Sequence, residues 1–200
     1  MIVGFDFDNT IINYTNSFIK LSRKKNLVPE EKNKDKISIR NYLREKNIED
    51  QWTILQGEVY GKNIMDAEIY KDVLETFKYL LKNNIKIKII SHKTKYPYIG
   101  EKIDLRLSAF RWIEDRILNK ISNLKFSKSD IFFENTIAEK INKIQELNCD
   151  IYVDDLQEIL DKLPKKIQKI LFSPIYNIQE NYNFKVMKSW SEFYDIINNE

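Results

Sequence analysis

Short apolar runs recur along this chain, each β-branched or aromatic and each closed by polar residues. They constrain the fold more than any other feature. The runs are Ile2-Val3-Gly4-Phe5, Ile85-Lys86-Ile87-Lys88-Ile89-Ile90, Ile131-Phe132-Phe133, Ile151-Tyr152-Val153, Ile170-Leu171-Phe172 and Phe184-Lys185-Val186. Helical periodicity fills the spaces between them. Val73, Phe77 and Leu80/Leu81 share one face in a helix starting near Tyr70, Leu105, Ala109 and Trp112/Ile113 another, and Ile137, Ile141 and Ile144 a third. Thr136-Ile137-Ala138-Glu139 reads as a capping box opening the third helix. Strands alternating with helices predict an α/β fold, a Rossmann-like parallel sheet with helices on both faces. Such sheets bind ligands at the carboxyl ends of their strands, so the polar residues that close the runs become the candidates.

One stretch breaks the alternation. Residues 14–66 have helical character, no clear strand, and apolar groups at Trp52, Ile54, Leu55, Val59 and Tyr60. The expected organisation is a core of residues 1–13 and 67–200 with a small helical insert, 14–66, acting as a lid. Residues 173–200 are expected to complete the sheet and its covering helix. The polar stretch 20–40 reads as a solvated helix face and loop. A chain of 200 residues suits one domain with such an insert.

Composition removes several function classes. Lys and Arg number 33 against 30 Asp and Glu, a net charge of +3, too weak to argue for nucleic acid or a membrane surface. The single Cys149 excludes an internal disulfide or a cysteine zinc site, and the single His92 excludes multi-histidine metal sites. No signal-peptide core or membrane-length apolar run is present, and the expected location is the cytoplasm. Abundant Lys, Asn and Ile read as a base-composition habit.

The run ends supply a coherent chemistry. The first gives Asp6-Phe7-Asp8-Asn9-Thr10, the second Ser91-His92-Lys93, a helix start gives Lys140, and the fourth run gives Asp154-Asp155. A carboxylate at Asp6 can attack a phosphoryl group. Asp8, two residues on along an extended chain, can protonate a leaving oxygen and then deprotonate water. Ser91 can donate to a phosphoryl oxygen, and Lys140 can hold nucleophile and phosphate by charge. Clustered carboxylates repel one another unless a cation sits among them, and hard oxygens select Mg²⁺. This is the positioning and electrostatics that phosphoryl transfer demands.

These motifs resemble those of the haloacid dehalogenase (HAD) superfamily phosphatases. There an apolar strand ends in Asp-x-Asp-x-Thr, a second strand in Ser or Thr, a lysine follows, and a later strand ends in paired acids. All occur here in order, with 85 residues from Asp6 to Ser91, 49 on to Lys140 and 15 on to Asp155. The resemblance implies a helical cap of the first type between the first and second motifs. It implies Asp6 as nucleophile and Asp8 as general acid and base. It implies magnesium held by Asp6, the Asp8 main-chain carbonyl and Asp155, with Asp154 near or acting through water. Asn9 stands where glycine is commonest, and Asn tolerates the unusual backbone angles needed. Lys143 rivals Lys140 but lies a turn further from the helix start. The stretch from Ser91 to Gly100 is similar to members associated with surface-polysaccharide or nucleotide-sugar pathways.

The expected function is a Mg²⁺-dependent phosphatase for a small phosphorylated metabolite, such as a phosphosugar, amino-alcohol phosphate or nucleotide-type monoester. Thr10, Ser91, His92, Lys93 and Trp52 are the candidate substrate contacts. Plainer roles stand beside these: a helix cap for Asp154-Asp155, solvation for Lys93, packing for His92 and Trp52. A phosphomutase or phosphotransferase of the same superfamily uses the same residues, and a silent binding module on this fold is the non-enzyme alternative. A carbon–halogen hydrolase does not need Asp8, and a receiver domain would carry its acceptor aspartate at the third strand.

Overall fold

The computed structural model describes residues 1–174 and 184–198. In chain order the elements are β1 (Ile2–Phe5), β2 (Ile12–Asn13), α1 (Thr15–Lys24), α2 (Lys36–Glu45), α3 (Glu49–Tyr60), β3 (Glu68–Ile69), α4 (Val73–Lys82), β4 (Lys86–His92), α5 (Leu105–Arg116), β5 (Ile131–Glu134), α6 (Ile137–Glu146), β6 (Ile151–Asp154), α7 (Gln157–Lys162), β7 (Gln168–Phe172), β8 (Lys185–Met187) and α8 (Phe193–Asn198). Contacts divide the chain into two compact units. One holds Met1–Ile12, Ile69–His92 and the chain from Arg116 onward; the other holds Asn13–Glu68 and Lys93–Asp115.

The first unit is built on a six-stranded sheet in the order β5-β4-β1-β6-β7-β8, every neighbouring pair parallel. Strands β2 and β3 form a separate two-stranded sheet. Each expected run lies in a strand, except that Ile85 precedes β4 and the last run is shifted by one residue to Lys185–Met187. The helix expected near Tyr70 begins at Val73, behind a left-handed Asp72 with φ 68°. Residues 173, 174 and 184–198 include β8 and α8, as expected of this region; 175–183 and 199–200 lie outside the described residues.

The burial pattern follows from the apolar runs. β1 and β6 are apolar on both faces, as a central parallel strand must be. On one face Phe5 meets Phe77, Trp190 and Phe193, with ring centroids 5.2, 5.2 and 5.6 Å away. On the other, Ile90, Ile144, Cys149, Tyr152 and Leu160 form a continuous core. Each such side chain contributes roughly 1.5–3 kcal/mol by leaving water. Gly4 sits opposite Tyr152 in the β1–β6 register. A Cβ there would stand 2.7 Å from the Tyr152 ring, so β1 passes only as glycine.

The chain's asparagines have a structural use that composition did not reveal. Asn26, Asn47, Asn84 and Asn148 follow helices with φ of 52°, 56°, 59° and 51°. Behind each, an apolar residue returns its N–H to the helix: Leu27 to Ser22, Ile48 to Leu43, Ile85 to Leu80 and Cys149 to Ile144. This is the Schellman termination, with Asn in the left-handed position usually given to Gly.

In the second unit α1, α2 and α3 pack on one another, and most of α5 belongs to the same unit. Phe18 stacks on Trp52 at 5.0 Å, and Tyr14 meets Tyr60 at 4.7 Å. Its membership is wider than the expected insert, because Lys93–Asp115 belongs to it. Two contacts explain this. A Cβ on Gly57 of α3 would lie 2.8 Å from Pro97, so the helix and that loop meet at glycine. The Trp112 indole donates to the Ala67 carbonyl at 3.0 Å. Among the described residues no helix is long and apolar enough to cross a membrane.

Candidate active site

The sheet order brings the strand ends together. The chain runs outward from central β1 to β4 and β5, then returns to β6 on the other side of β1. The order reverses at β1, where open parallel sheets leave a crevice. Asp6 directly follows β1, flanked by Ser91 on β4 and by Asp154 at the end of β6.

These groups form one buried network. The Ser91 hydroxyl donates to Asp6 Oδ1 at 2.9 Å. Lys140 Nζ donates to the same oxygen at 2.6 Å and to Asp154 Oδ2 at 2.7 Å. The Leu156 N–H donates to Asp154 Oδ1 at 2.9 Å. Exposure is 4% for Asp6, 1% for Ser91, 2% for Lys140 and 0% for Asp154, so each charge is held by its partners and not by water. Asp6 Oδ1 thus takes two donors. Both Asp154 oxygens are engaged.

Lys140 reaches this position because α6 starts beside the sheet. Thr136 accepts from the Glu139 N–H at 3.1 Å, and the Glu139 carboxylate accepts from the Thr136 N–H at 3.1 Å, the expected capping box. Lys140 follows in the first turn. Lys143, the rival, is paired with Glu146 at 2.6 Å on the surface. Burial works against the Lys140 charge, but Asp6 and Asp154 outweigh it and raise its pKa well above the ordinary value. Burial pushes the Asp154 carboxyl up, and Lys140 opposes that shift.

Carboxylate oxygens of Asp6, Asp154 and Asp155 lie within 4.8 Å of one another. Three hard anionic donors at that spacing fit a magnesium ion, and one of them, Asp155, is only half-buried. Asp8 is half-buried in the segment after β1, where it bridges to Ile12. Asn9 takes φ 59°, as anticipated for the position where glycine is commonest. Thr10 is fully buried, and its hydroxyl has no partner among the described residues.

The remaining candidates separate. His92 Nε2 lies 2.9 Å from the Asn135 carbonyl, a bond that holds the turn before α6. Lys93 and Trp52 belong to the other unit. Lys93 is 4% exposed with its ammonium 5.0 Å from the Tyr60 ring, and Trp52 is 4% exposed against Phe18. Sequence reasoning missed Tyr152. Its buried hydroxyl donates to the Ile90 carbonyl at 2.6 Å, and its ring lies 5.6 Å from Lys140 Nζ. A tyrosine between Ile151 and Val153 in a central strand was the available signal.

No protein-family model matches the chain. Phosphoglycerate kinase of Mycoplasmoides gallisepticum is 26% identical over 110 residues, or 52% of this chain and 26% of the kinase. The chain therefore spans about a quarter of that relative's length. Solved structures match over nearly the whole chain. A Clostridium difficile protein assigned as a phosphatase has a TM-score of 0.64 at 16% identity, covering 98% of this chain and 97% of its own. A HAD-superfamily hydrolase from Ehrlichia chaffeensis has a TM-score of 0.55 at 14% identity, covering 99% and 96%. A Bacillus subtilis protein assigned as a HAD hydrolase, solved with magnesium bound, has a TM-score of 0.53 at 12% identity, covering 98% of each chain. With this sheet order and the motifs standing at its strand ends, the chain has the fold of the HAD-superfamily hydrolases.

Proposed function

We propose that this chain is a metal-dependent phosphatase acting on a small phosphate monoester through an aspartyl-phosphate at Asp6. The observation that carries the reading is the asymmetric hold on Asp6. Ser91 and Lys140 both fix Oδ1, which aims the carboxylate and leaves Oδ2 as the attacking atom. The likeness to structures assigned as phosphatases supports the same reading.

In the first step Asp6 Oδ2 bonds to phosphorus and the ester P–O bond breaks. Asp8, as the acid, gives its proton to the leaving oxygen. In the second step Asp8, now a carboxylate, takes a proton from water as that water attacks phosphorus. The bond from phosphorus to Asp6 breaks, which returns the Asp6 carboxylate and releases inorganic phosphate. Ser91 and Lys140 donate to phosphoryl oxygens while still orienting Asp6. Asp6, Asp155 and the Asp8 main-chain carbonyl would hold magnesium, with Asp154 beside them fixed by Lys140 and Leu156. When bound, the ion offsets negative charge on the transferring group. Phosphosugars and amino-alcohol phosphates are the substrate classes to try first.

Phosphate release from p-nitrophenyl phosphate, with Mg²⁺ or a chelator, tests this reading in wild type and Asp6→Asn. Release that needs Mg²⁺ and vanishes in the variant is the expected result. Metal-independent release, or undiminished turnover by Asp6→Asn, would sink it.

A further inference from the structure

The segment Asp6–Thr10 carries both proposed reacting carboxylates, and one distant side chain touches both of its ends. Trp190 lies 180 residues from Thr10 in sequence. It is 1% exposed in the turn before α8. Its indole Nε1–H donates to the Thr10 carbonyl at 3.0 Å, a fully buried bond. Its ring lies 5.2 Å from that of Phe5, the residue before Asp6. Trp190 therefore grips the chain just before the nucleophile and just after the acid.

The segment between those grips is one that the chain would not hold by local preference. Asn9 has φ 59°, a region non-glycine residues enter at a cost. Inside the turn, the Ile11 and Ile12 N–H groups both converge on the Phe7 carbonyl at 3.0 and 3.2 Å. From outside, the Tyr70 N–H meets the Ile11 carbonyl at 3.0 Å. The Thr10 hydroxyl has no partner among the described residues, whereas the Thr10 carbonyl takes the Trp190 indole. Losing the indole donor would leave that carbonyl buried and unsatisfied, and the turn would relax to rehydrate it.

We propose that Trp190 is a positioning residue for Asp8: through the Thr10 carbonyl it fixes the turn that aims the Asp8 carboxyl at the leaving oxygen. The catalytic consequence rests on the phosphatase reading; the hold on the turn does not. The molecule contains its own comparator. Trp112 is also fully buried and also donates its indole N–H to a carbonyl at 3.0 Å, that of Ala67, but in the helical unit.

The test replaces each tryptophan in turn with 3-benzothienylalanine, which keeps the ring's shape and loses only the N–H donor. A Trp190→Phe variant serves as a second probe. Amide hydrogen exchange at Ile11 and Ile12 is read alongside kcat and KM for p-nitrophenyl phosphate. At position 190 the expected result is exchange faster by about 10-fold or more and kcat lower by about 10-fold, with KM within about 2-fold. At position 112 neither exchange at Ile11 and Ile12 nor kcat changes. Unchanged exchange at position 190, or equal kcat losses at both positions, would overturn the proposal. A wild type without turnover would instead overturn the phosphatase reading, and exchange alone would still decide whether Trp190 holds the turn.

Discussion

The sheet unit joins four buried polar side chains into one network, and each unit also buries hydroxyls that have no partner among the described residues. In the sheet unit, Asp6, Ser91, Lys140 and Asp154 are nearly inaccessible and bonded to one another in a single network. The isolated hydroxyls are Ser17 and Ser22 of α1 in the helical unit, and Thr10 and Thr76 in the sheet unit. Unpartnered hydroxyls cost stability and fix nothing. A connected ionic network also costs desolvation, but it fixes geometry. The contrast teaches where geometry matters: the network holds its charges in one arrangement at the strand ends of the sheet unit, whereas the isolated hydroxyls of either unit, Ser17 and Ser22 among them, hold nothing in place.

Lys140→Met gives the sharpest break. It leaves Asp6 and Asp154 buried without their cation and should destabilise the protein by about 3–5 kcal/mol in chemical denaturation. Without Lys140, which opposes the upward push of burial on Asp154, that carboxyl should keep its proton to still higher pH. Gly4→Ala comes next. The added Cβ drives into Tyr152, beneath Lys140, and should cost about 1–3 kcal/mol of stability together with part of the activity. Ser17→Ala and Ser22→Ala should have the smallest effect and the opposite sign. Each should leave stability unchanged or raise it by up to about 1 kcal/mol in the same assay. A loss of more than that from either serine would erase the contrast between the network and the isolated hydroxyls.

Alkaline pH probes one thiol and two phenols, Cys149 and Tyr152 in the core face and Tyr70 against Phe172. Burial pushes the Cys149 thiol from its ordinary 9.0 to about 12, and the Tyr70 hydroxyl from 10.0 to about 12. Tyr152 is also raised by burial. All three keep their protons in the folded state at pH values where the unfolded chain releases them. Their contribution to stability is therefore complete below about pH 9 and is lost as pH rises toward 12. Melting temperature should hold steady at neutral pH and fall above about pH 9, with a shallower fall in Cys149→Ala. A flat profile to pH 11 would show that these groups are not buried as described.

The strands and the strand-end residues were legible because both are local. A β-branched run closed by Asp or Ser needs no knowledge of the rest of the chain, and parallel topology then gathers those ends. Lys140 was legible through its capping box. What escaped depends on distance in sequence or on a backbone partner. Trp190 acts on a carbonyl 180 residues away, and no periodicity in its own neighbourhood encodes that. Lys93–Asp115 joins the helical unit through Gly57 and Trp112, contacts that no repeat announces. The asparagines were read as composition, although pairs such as Asn26-Leu27 and Asn84-Ile85 carried the helix-stop signal in plain view.

The most direct test of the central claim is to trap the phosphoryl group. A single turnover with p-nitrophenyl phosphate and Mg²⁺ is quenched in acid, and the peptides are mapped by mass spectrometry. Asp8→Asn, which cannot deprotonate the attacking water, should enrich the intermediate. The account predicts phosphorylation on the peptide carrying Asp6, located to that residue and absent from Asp6→Asn. Turnover with no phosphorylated Asp6, or label on another residue, would contradict it.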